Sequence, residues 1–274
     1  MLTFFQPIGD AGTDDFLPLP GALAHWGGGR LHGPAVAGLL ARSARLVAAE
    51  AKPGFVPGRS AVELFRATRD EQLEARTELV REGSRILVVD AVVVQRGRMC
   101  ARAHFFFFRP GAEPENTIWA PGIELPVPEA GIGLDAQRRC YRTESTGWDP
   151  RVERINGPGR KYAWQEPFAV VAGEEVHPFD LLVATSDLAS MSTHWDERGI
   201  EFINTDATMS IVRLPDDGGI GVTGLHRIGE AGVSAGSAVM YDRAGPLALS
   251  MVSALAQTSV RVAITAEGFA TQKL

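Results

Sequence analysis

The sequence predicts an α+β protein built from two copies of one unit, an apolar helix followed by an antiparallel meander of strands. Three observations carry this expectation. One stretch of helical periodicity precedes four β-rich runs. A Pro/Gly-rich stretch then interrupts the pattern. Beyond it the helix-then-strands order restarts, with markers that superpose at a nearly constant spacing.

The elements follow in order. Loop material extends through Gly27-Gly28-Gly29-Arg30. Val36, Leu39, Leu40, Leu46 and Val47 recur at helical spacing over residues 32–50, and Lys52-Pro53-Gly54 supplies the stop. Residues 60–68, 74–81, 86–95 and 99–109 read as strands with breaks at Gly83 and Gly97. Their β-branched and aromatic runs, Val92-Val93-Val94 and Phe105 to Phe108, favour sheet over helix. Residues 110–133 suit a crossing linker. Strands are expected within 147–168, broken at Asn156-Gly157-Pro158-Gly159, and a short helix is expected over 178–193. Four further strands fit 202–213, 219–227, 233–241 and 247–256.

The halves overlay at an offset of about 147. Val62 to Arg66 parallels Met209 to Arg213, and the turn glycine Gly97 parallels Gly245. The helix start at His32-Gly33 falls opposite Asp180-Leu181. The expected division is 1–125 and 126–274, with the linker inside 110–140.

Composition narrows the function classes. With 45% hydrophobic and 22% charged residues, the 274-residue chain can fill one large core or two small ones. A net charge of −6 gives no bulk electrostatic reason to bind nucleic acid, though a local basic patch remains compatible with it. Cys100 and Cys140 lack CxxC spacing and are expected as free buried thiols, which argues against a cysteine-held metal. The start, Met1 to Gln6, has no basic n-region, and no window holds the roughly 18 apolar residues of a membrane span. A soluble, cytoplasmic protein is expected.

Trp26, His32-Gly33-Pro34, Val62 to Arg69, Arg81 to Arg85 and Asp90 to Arg98 resemble the first half of acyl-CoA thioesterase II-like proteins. His177 to Leu182, Ser186-Asp187, Phe202 to Asp206 through Arg213-Leu214-Pro215, and Tyr241 to Gly245 continue the resemblance in order. It implies a double hotdog: two long central helices, each wrapped by half of a continuous antiparallel β-sheet. It also implies hydrolysis of an acyl-CoA to free acid and CoA without metal or organic cofactor, by an Asp, a Ser or Thr, and a Gln around a catalytic water. Single hotdogs pair through their sheets, so a fused pair is compatible with a lone chain or a homo-oligomer.

The resemblance puts the water-activating aspartate at Asp206, where burial in a cleft would raise its pKa toward that of a general base. An aspartate spent on a strand-entry turn is the structural alternative. The first copy carries Arg59 at the equivalent place, and Arg59 is expected to contact substrate. The family glutamine falls at Ser253, with Gln257 the nearest glutamine. The hydroxyl member has no match in Leu225 to Gly229, so Thr223 or Ser234 would need a shifted register. Asp187 is the second carboxylate candidate, on or beside the second helix. His32 and Gly33 are candidates to present an oxyanion-binding backbone N–H at the first helix's start. Arg30, Arg160 and Lys161 are candidates for CoA phosphates.

Two alternatives stand beside hydrolysis. One is a non-catalytic acyl-CoA or lipid-binding protein that has lost the triad. The other is an enoyl-CoA hydratase-like activity using Asp187 with His194, seven residues later, although the hydratase signature is absent. No GxSxG elbow supports a serine hydrolase, and Gly27-Gly28-Gly29 lacks the GK[ST] ending of a phosphate loop.

Overall fold

A computed structural model describes residues 2–9, 14–24, 28–115, 119, 122–216, 218–257, 260–265 and 268–273. Trp26 and Gly27 lie outside the described residues. Strands β1 (Thr3–Pro7) and β2 (Asp15–Pro18) precede helix α1 (Gly33–Ala51). The meander β3 (Val56–Leu64), β4 (Leu73–Glu82), β5 (Ile86–Gln95) and β6 (Arg98–Phe108) follows. After the linker come β7 (Arg139–Thr143), β8 (Lys161–Gln165) and β9 (Ala169–Val171), then helices α2 (Pro178–Thr185) and α3 (Leu188–His194). The second meander is β10 (Phe202–Asn204), β11 (Asp206–Ile211), β12 (Ile220–Glu230), β13 (Val233–Asp242) and β14 (Gly245–Ala256). A hairpin of β15 (Val260–Thr265) and β16 (Gly268–Lys273) ends the described chain.

One sheet runs β7-β8-β12-β13-β14-β11-β3-β6-β5-β4-β2-β1-β9, with β10 also on β14. Its ladders are antiparallel except β1 with β9. The registers carry the internal repeat more sharply than the sequence does. Ala61 faces His104 and, 147 positions on, Thr208 faces Met251. Asp90 faces His104, and Ser237 faces Met251 at the same offset. Even the irregularity at Val93/Val94 recurs at Met240/Tyr241. Where the two meanders meet, Ala61 pairs with Thr208, its own equivalent, at the centre of the β3–β11 ladder. A local two-fold relation therefore passes through this pair.

Two of the three sequence markers shift. The helix caps are His32 and His177, whose Nδ1 atoms accept from the N–H of Ala35 and Phe179. The turn equivalent to Arg96-Gly97 is Arg243-Ala244, one residue before Gly245.

The expectation of two long central helices needs correction. Only α1 is long, at 19 residues. Its counterpart is two short segments, α2 and α3, joined at Ser186-Asp187. Both joint residues keep helical dihedrals, yet Ala189 N–H bonds Ser186 O and Ser190 N–H bonds Asp187 O, a tighter i→i+3 pattern. Thr185 Oγ1 and Ser186 Oγ also donate to Leu181 O and Val183 O, competing for the carbonyls that a regular ladder uses. The helices meet at Gly38, where a methyl group would lie 3.2 Å from Ala184 Cβ and 3.0 Å from Val170 Cγ2. Arg45 bonds Asp180 at 2.9 Å and Arg42 bonds Glu174, tying α1 to the α2 region. Phe179 of α2 sits edge-on to Phe105 and Phe107 of β6, so the helices and both meanders share one core.

The N-terminal stretch read as loop material holds two strands instead. β1 and β2 extend the sheet, and β15 pairs with β16 in a separate two-stranded ladder. The Pro/Gly-rich linker lies across the outer face of the second meander. There Ile123, Leu125, Ile132 and Leu134 pack on Trp164 and Tyr241, and Tyr241 donates to Pro126 O. Cys100 and Cys140 are both free and buried, and burial pushes the Cys140 thiol up to about 12. No helix among the described residues is long and apolar enough to cross a membrane.

Candidate active site

Asp187 stands at the joint between α2 and α3, where the tightened turn projects its side chain toward the start of α1. It keeps some accessible surface because it lines a cavity, yet protein atoms crowd its carboxylate. The packing is close: a methyl group on Gly33 would fall 2.5 Å from Asp187 Oδ1. A glycine at helix position N1 is what admits the carboxylate to this helix end. Asn204 Nδ2 donates to Asp187 Oδ1 at 2.8 Å. Burial raises the Asp187 pKa, partly offset by the Asn204 hydrogen bond and by the charge of Arg139.

A bulge brings Asn204 inward. Asn204 faces Ala254 and Thr208 faces Met251, so four steps on the β10–β11 side match three on β14. The extra residue lies at Thr205 and flips the alternation there. Asn204 faces the interior with buried Ala254, whereas beyond the bulge Ala207, Met209 and Ile211 turn inward. Asp206 is therefore on the outward-facing set with Thr208 and Ser210. It accepts from Ser253 N–H at 2.9 Å, and Thr205 Oγ1 donates to it at 3.3 Å.

Two cavities meet at Asp187 and Asn204. One, of about 190 Å³, has apolar walls that include Leu188, Met191, Phe202 and Val262, with Gln257 and Arg139 among its polar lining. The hairpin β15–β16 supplies Val262 and Thr271 to it. The other, of about 320 Å³, runs along residues 64–68 and 30–33. His32 caps α1 and places Nε2 2.8 Å from Gly21 O, which fixes the ring with Nδ1 as acceptor and Nε2–H as donor.

The sequence-derived candidates thus separate. Asp187, His32, Gly33 and Gln257 converge on these cavities. Asp206, Ser253 and Arg59 are not among their lining residues. Ser253 is exposed, and Arg59 lies over the Phe106 ring. Lys161 Nζ is spent on Gly157 O and Gly159 O. His194 Nε2 lies 2.9 Å from Ser234 Oγ, and burial lowers the His194 pKa. Neither Asn204 nor Arg139 was singled out from sequence. Asn204 stood within a quoted motif, but nothing local told which way it points.

Residues 23–108 match the acyl-CoA thioesterase N-terminal domain, and residues 114–255 match the acyl-CoA thioesterase C-terminal domain. The chain belongs to the acyl-CoA thioesterase family. Solved structures with the same fold include the tesB protein of Mycobacterium avium subs paratuberculosis. It is 15% identical, with 90% of this chain and 95% of that one covered and a TM-score of 0.63. The acyl-CoA thioesterase II TesB2 of Mycobacterium marinum is 15% identical over 82% and 90% of the two chains, at a TM-score of 0.58. A conserved hot dog protein of unknown function from Alicyclobacillus acidocaldarius is 14% identical over 91% and 95%, at 0.57. No curated protein matches the chain. These likenesses make the fold of this chain the hotdog architecture.

Proposed function

We propose that this thioesterase-family protein hydrolyses an acyl-CoA to the free acid and CoA, with Asp187 as general base. One observation carries the reading: an enclosed carboxylate, hydrogen-bonded by Asn204 and pressed against the start of α1, stands where an apolar cavity meets an open groove. Asp187 takes a proton from a water as its oxygen attacks the thioester carbonyl carbon. The tetrahedral oxyanion then collapses, the C–S bond breaks, and the thiolate leaves to be protonated as CoA. Burial favours this role by raising the carboxyl pKa above its ordinary value. Asn204 orients the carboxylate, and Gln257, in the same cavity, supplies an amide to hold the water. The Gly33 N–H, at the positive end of α1, is the donor for the oxyanion. The apolar cavity takes the acyl group.

In this reading the base assigned to Asp206 from sequence passes to Asp187. Asp206 and Ser253 lock β11 to β14 instead. The two units divide near residues 125 and 126, and both contribute: Gly33 from the first, Asp187, Asn204 and Gln257 from the second.

The test is CoA release from a panel of short-, medium- and long-chain acyl-CoAs by wild type and Asp187→Asn. A loss of about a hundredfold or more in kcat, the scale of a missing general base, is expected. Unchanged turnover would move the base elsewhere. No release from any substrate, with saturable acyl-CoA binding, would favour the non-catalytic binding protein.

A further inference from the structure

The groove on the open side of Asp187 does not end at the reacting centre. Arg66 and Ala67 at its far end also line a third cavity, of about 360 Å³, whose walls include Arg69, Arg96 and Arg98. A continuous track therefore leads from Asp187 past Phe65 to four guanidinium groups. Segment 65–69 spans at most about 14 Å, since a chain advances no more than about 3.6 Å per residue. That is within reach of an extended pantetheine arm.

The charge of this far cavity runs against the rest of the molecule. The chain carries −6 overall, yet these four arginines share their cavity with one acidic residue, Glu71. Glu71 is paired with Arg96. Arg66 Nη1 and Arg69 Nη1 donate only to carbonyls, those of Met99 and Gly28, among the bonds that involve described residues. Arg98 has no ion pair among the described residues. Carbonyl partners leave the positive charges uncompensated, so the cavity holds a net charge of about +3 by formal count.

The cluster is also held in shape. Gln95, buried at the end of β5, accepts from the Arg69 N–H at 2.9 Å through Oε1. Its Nε2 donates to Arg69 O at 2.9 Å and to Glu71 O at 3.0 Å. One buried amide thus pins the loop carrying Arg69 and Glu71 to the hairpin carrying Arg96 and Arg98. Arginines carried at exposed positions on a fixed main chain suit phosphate oxygens, which guanidinium groups grip by forked hydrogen bonds. Phe65, 48% exposed along the groove, offers an apolar surface for the arm between.

We propose that the Arg66, Arg69, Arg96 and Arg98 cluster binds the phosphates at the nucleotide end of the thioester's CoA carrier. This rests on the hydrolytic reading above for the placement of the thioester at Asp187. The substrate then lies in one direction: acyl group in the apolar cavity, sulfur at Asp187, pantetheine along 64–68, phosphates at the arginines.

The experiment compares an acyl-CoA with the same acyl group on pantetheine, which lacks the nucleotide, for wild type and the Arg69→Ala/Arg98→Ala double variant. Wild type is expected to prefer acyl-CoA in kcat/KM. In the double variant that preference collapses by about a hundredfold, roughly tenfold for each guanidinium removed, and the change lies in KM. The wild-type preference also shrinks with added salt. Equal use of both substrates by wild type, or an equal loss on both in the variant, would overturn the proposal while leaving hydrolysis intact. If neither substrate is hydrolysed, the hydrolytic reading fails instead. Calorimetric titration with CoA alone then decides the cluster's role: binding weakened at least thirtyfold in the variant supports it, and unchanged binding refutes it. Gln95→Leu, which leaves all four arginines present, is expected to lower the same preference severalfold.

Discussion

Gly33→Ala adds one methyl group at the point where the first helix touches the candidate base. The new Cβ would lie 2.5 Å from Asp187 Oδ1, 2.6 Å from Cγ and 2.7 Å from Oδ2, so the whole carboxyl group is in the way. Ordinary contact begins near 3.4 Å, and opening 2.5 Å to that distance displaces the carboxylate by about 0.9 Å. Rotating Asp187 away breaks its 2.8 Å bond with Asn204. Sliding α1 instead disturbs a helix packed against Val170 and Ala184 at Gly38. Overpacking of this kind costs about 1–3 kcal/mol, and the helix gains a little back because alanine is the better helix former. A displacement near 1 Å costs about a hundredfold in rate when the moved group takes part in chemistry. The expected result is therefore a modest drop in melting temperature with kcat down about a hundredfold, read by CoA release at saturating acyl-CoA. Gly38→Ala is the control. It also crowds its neighbours, though less, at 3.0 Å from Val170 Cγ2 and 3.2 Å from Ala184 Cβ, away from the cavities. It is expected to lower stability while each folded molecule keeps its turnover. A Gly33→Ala protein that folds and turns over within threefold of wild type would refute the placement of the base against α1.

Three further outcomes follow from the same geometry. Asn204→Ala removes the donor that holds the Asp187 pKa down, so the limb of the pH–rate profile that rises as Asp187 ionises is expected to move to higher pH; an unmoved limb would separate Asn204 from the titrating group. Asp206→Ala is expected to keep kcat within about threefold and to lose about 1 kcal/mol as Ser253 N–H loses its acceptor, checked by urea melts beside CoA release. His177 has its pKa lowered to about 4 by burial, with the Arg45 charge adding to it, so the unfolded chain binds the extra proton first. The His177 contribution thus destabilises progressively as pH falls from about 6.5 to 4, and His177→Asn, which keeps a capping acceptor, is expected to flatten that part of the stability curve.

Much of this protein was legible in its sequence because the signals were local. Helical spacing over residues 32–50 and β-branched runs over 86–109 set period and element type wherever the chain is placed. α1, β5 and β6 formed close to where those signals fell. The repeat was legible as well, since duplication leaves its offset in turn and strand positions, and the ladders reproduce that offset of 147 from the pairs at Ala61 to those at Met240. The family resemblance in residues 23–255 was carried by order and spacing and holds against the matched thioesterase domains.

What tertiary structure alone decided was direction. Asp206 and Asn204 are two residues apart, and on a regular strand they would share a face. The extra residue at Thr205 puts them on opposite faces, and a bulge is set by pairing with β14, some 50 positions away. The joint at Ser186-Asp187 depends on hydroxyl bonds within one turn, but its value as a site comes from Gly33, more than 150 residues earlier. The hairpin that supplies Val262 to the apolar cavity, and the glutamine that ties the Arg69 loop to the end of β5, also act across long sequence separations. A sequence records which side chains exist and the period at which they recur. Whether Asn204 or Asp206 joins Asp187 at the cavities is fixed by contacts that form only when distant segments pack.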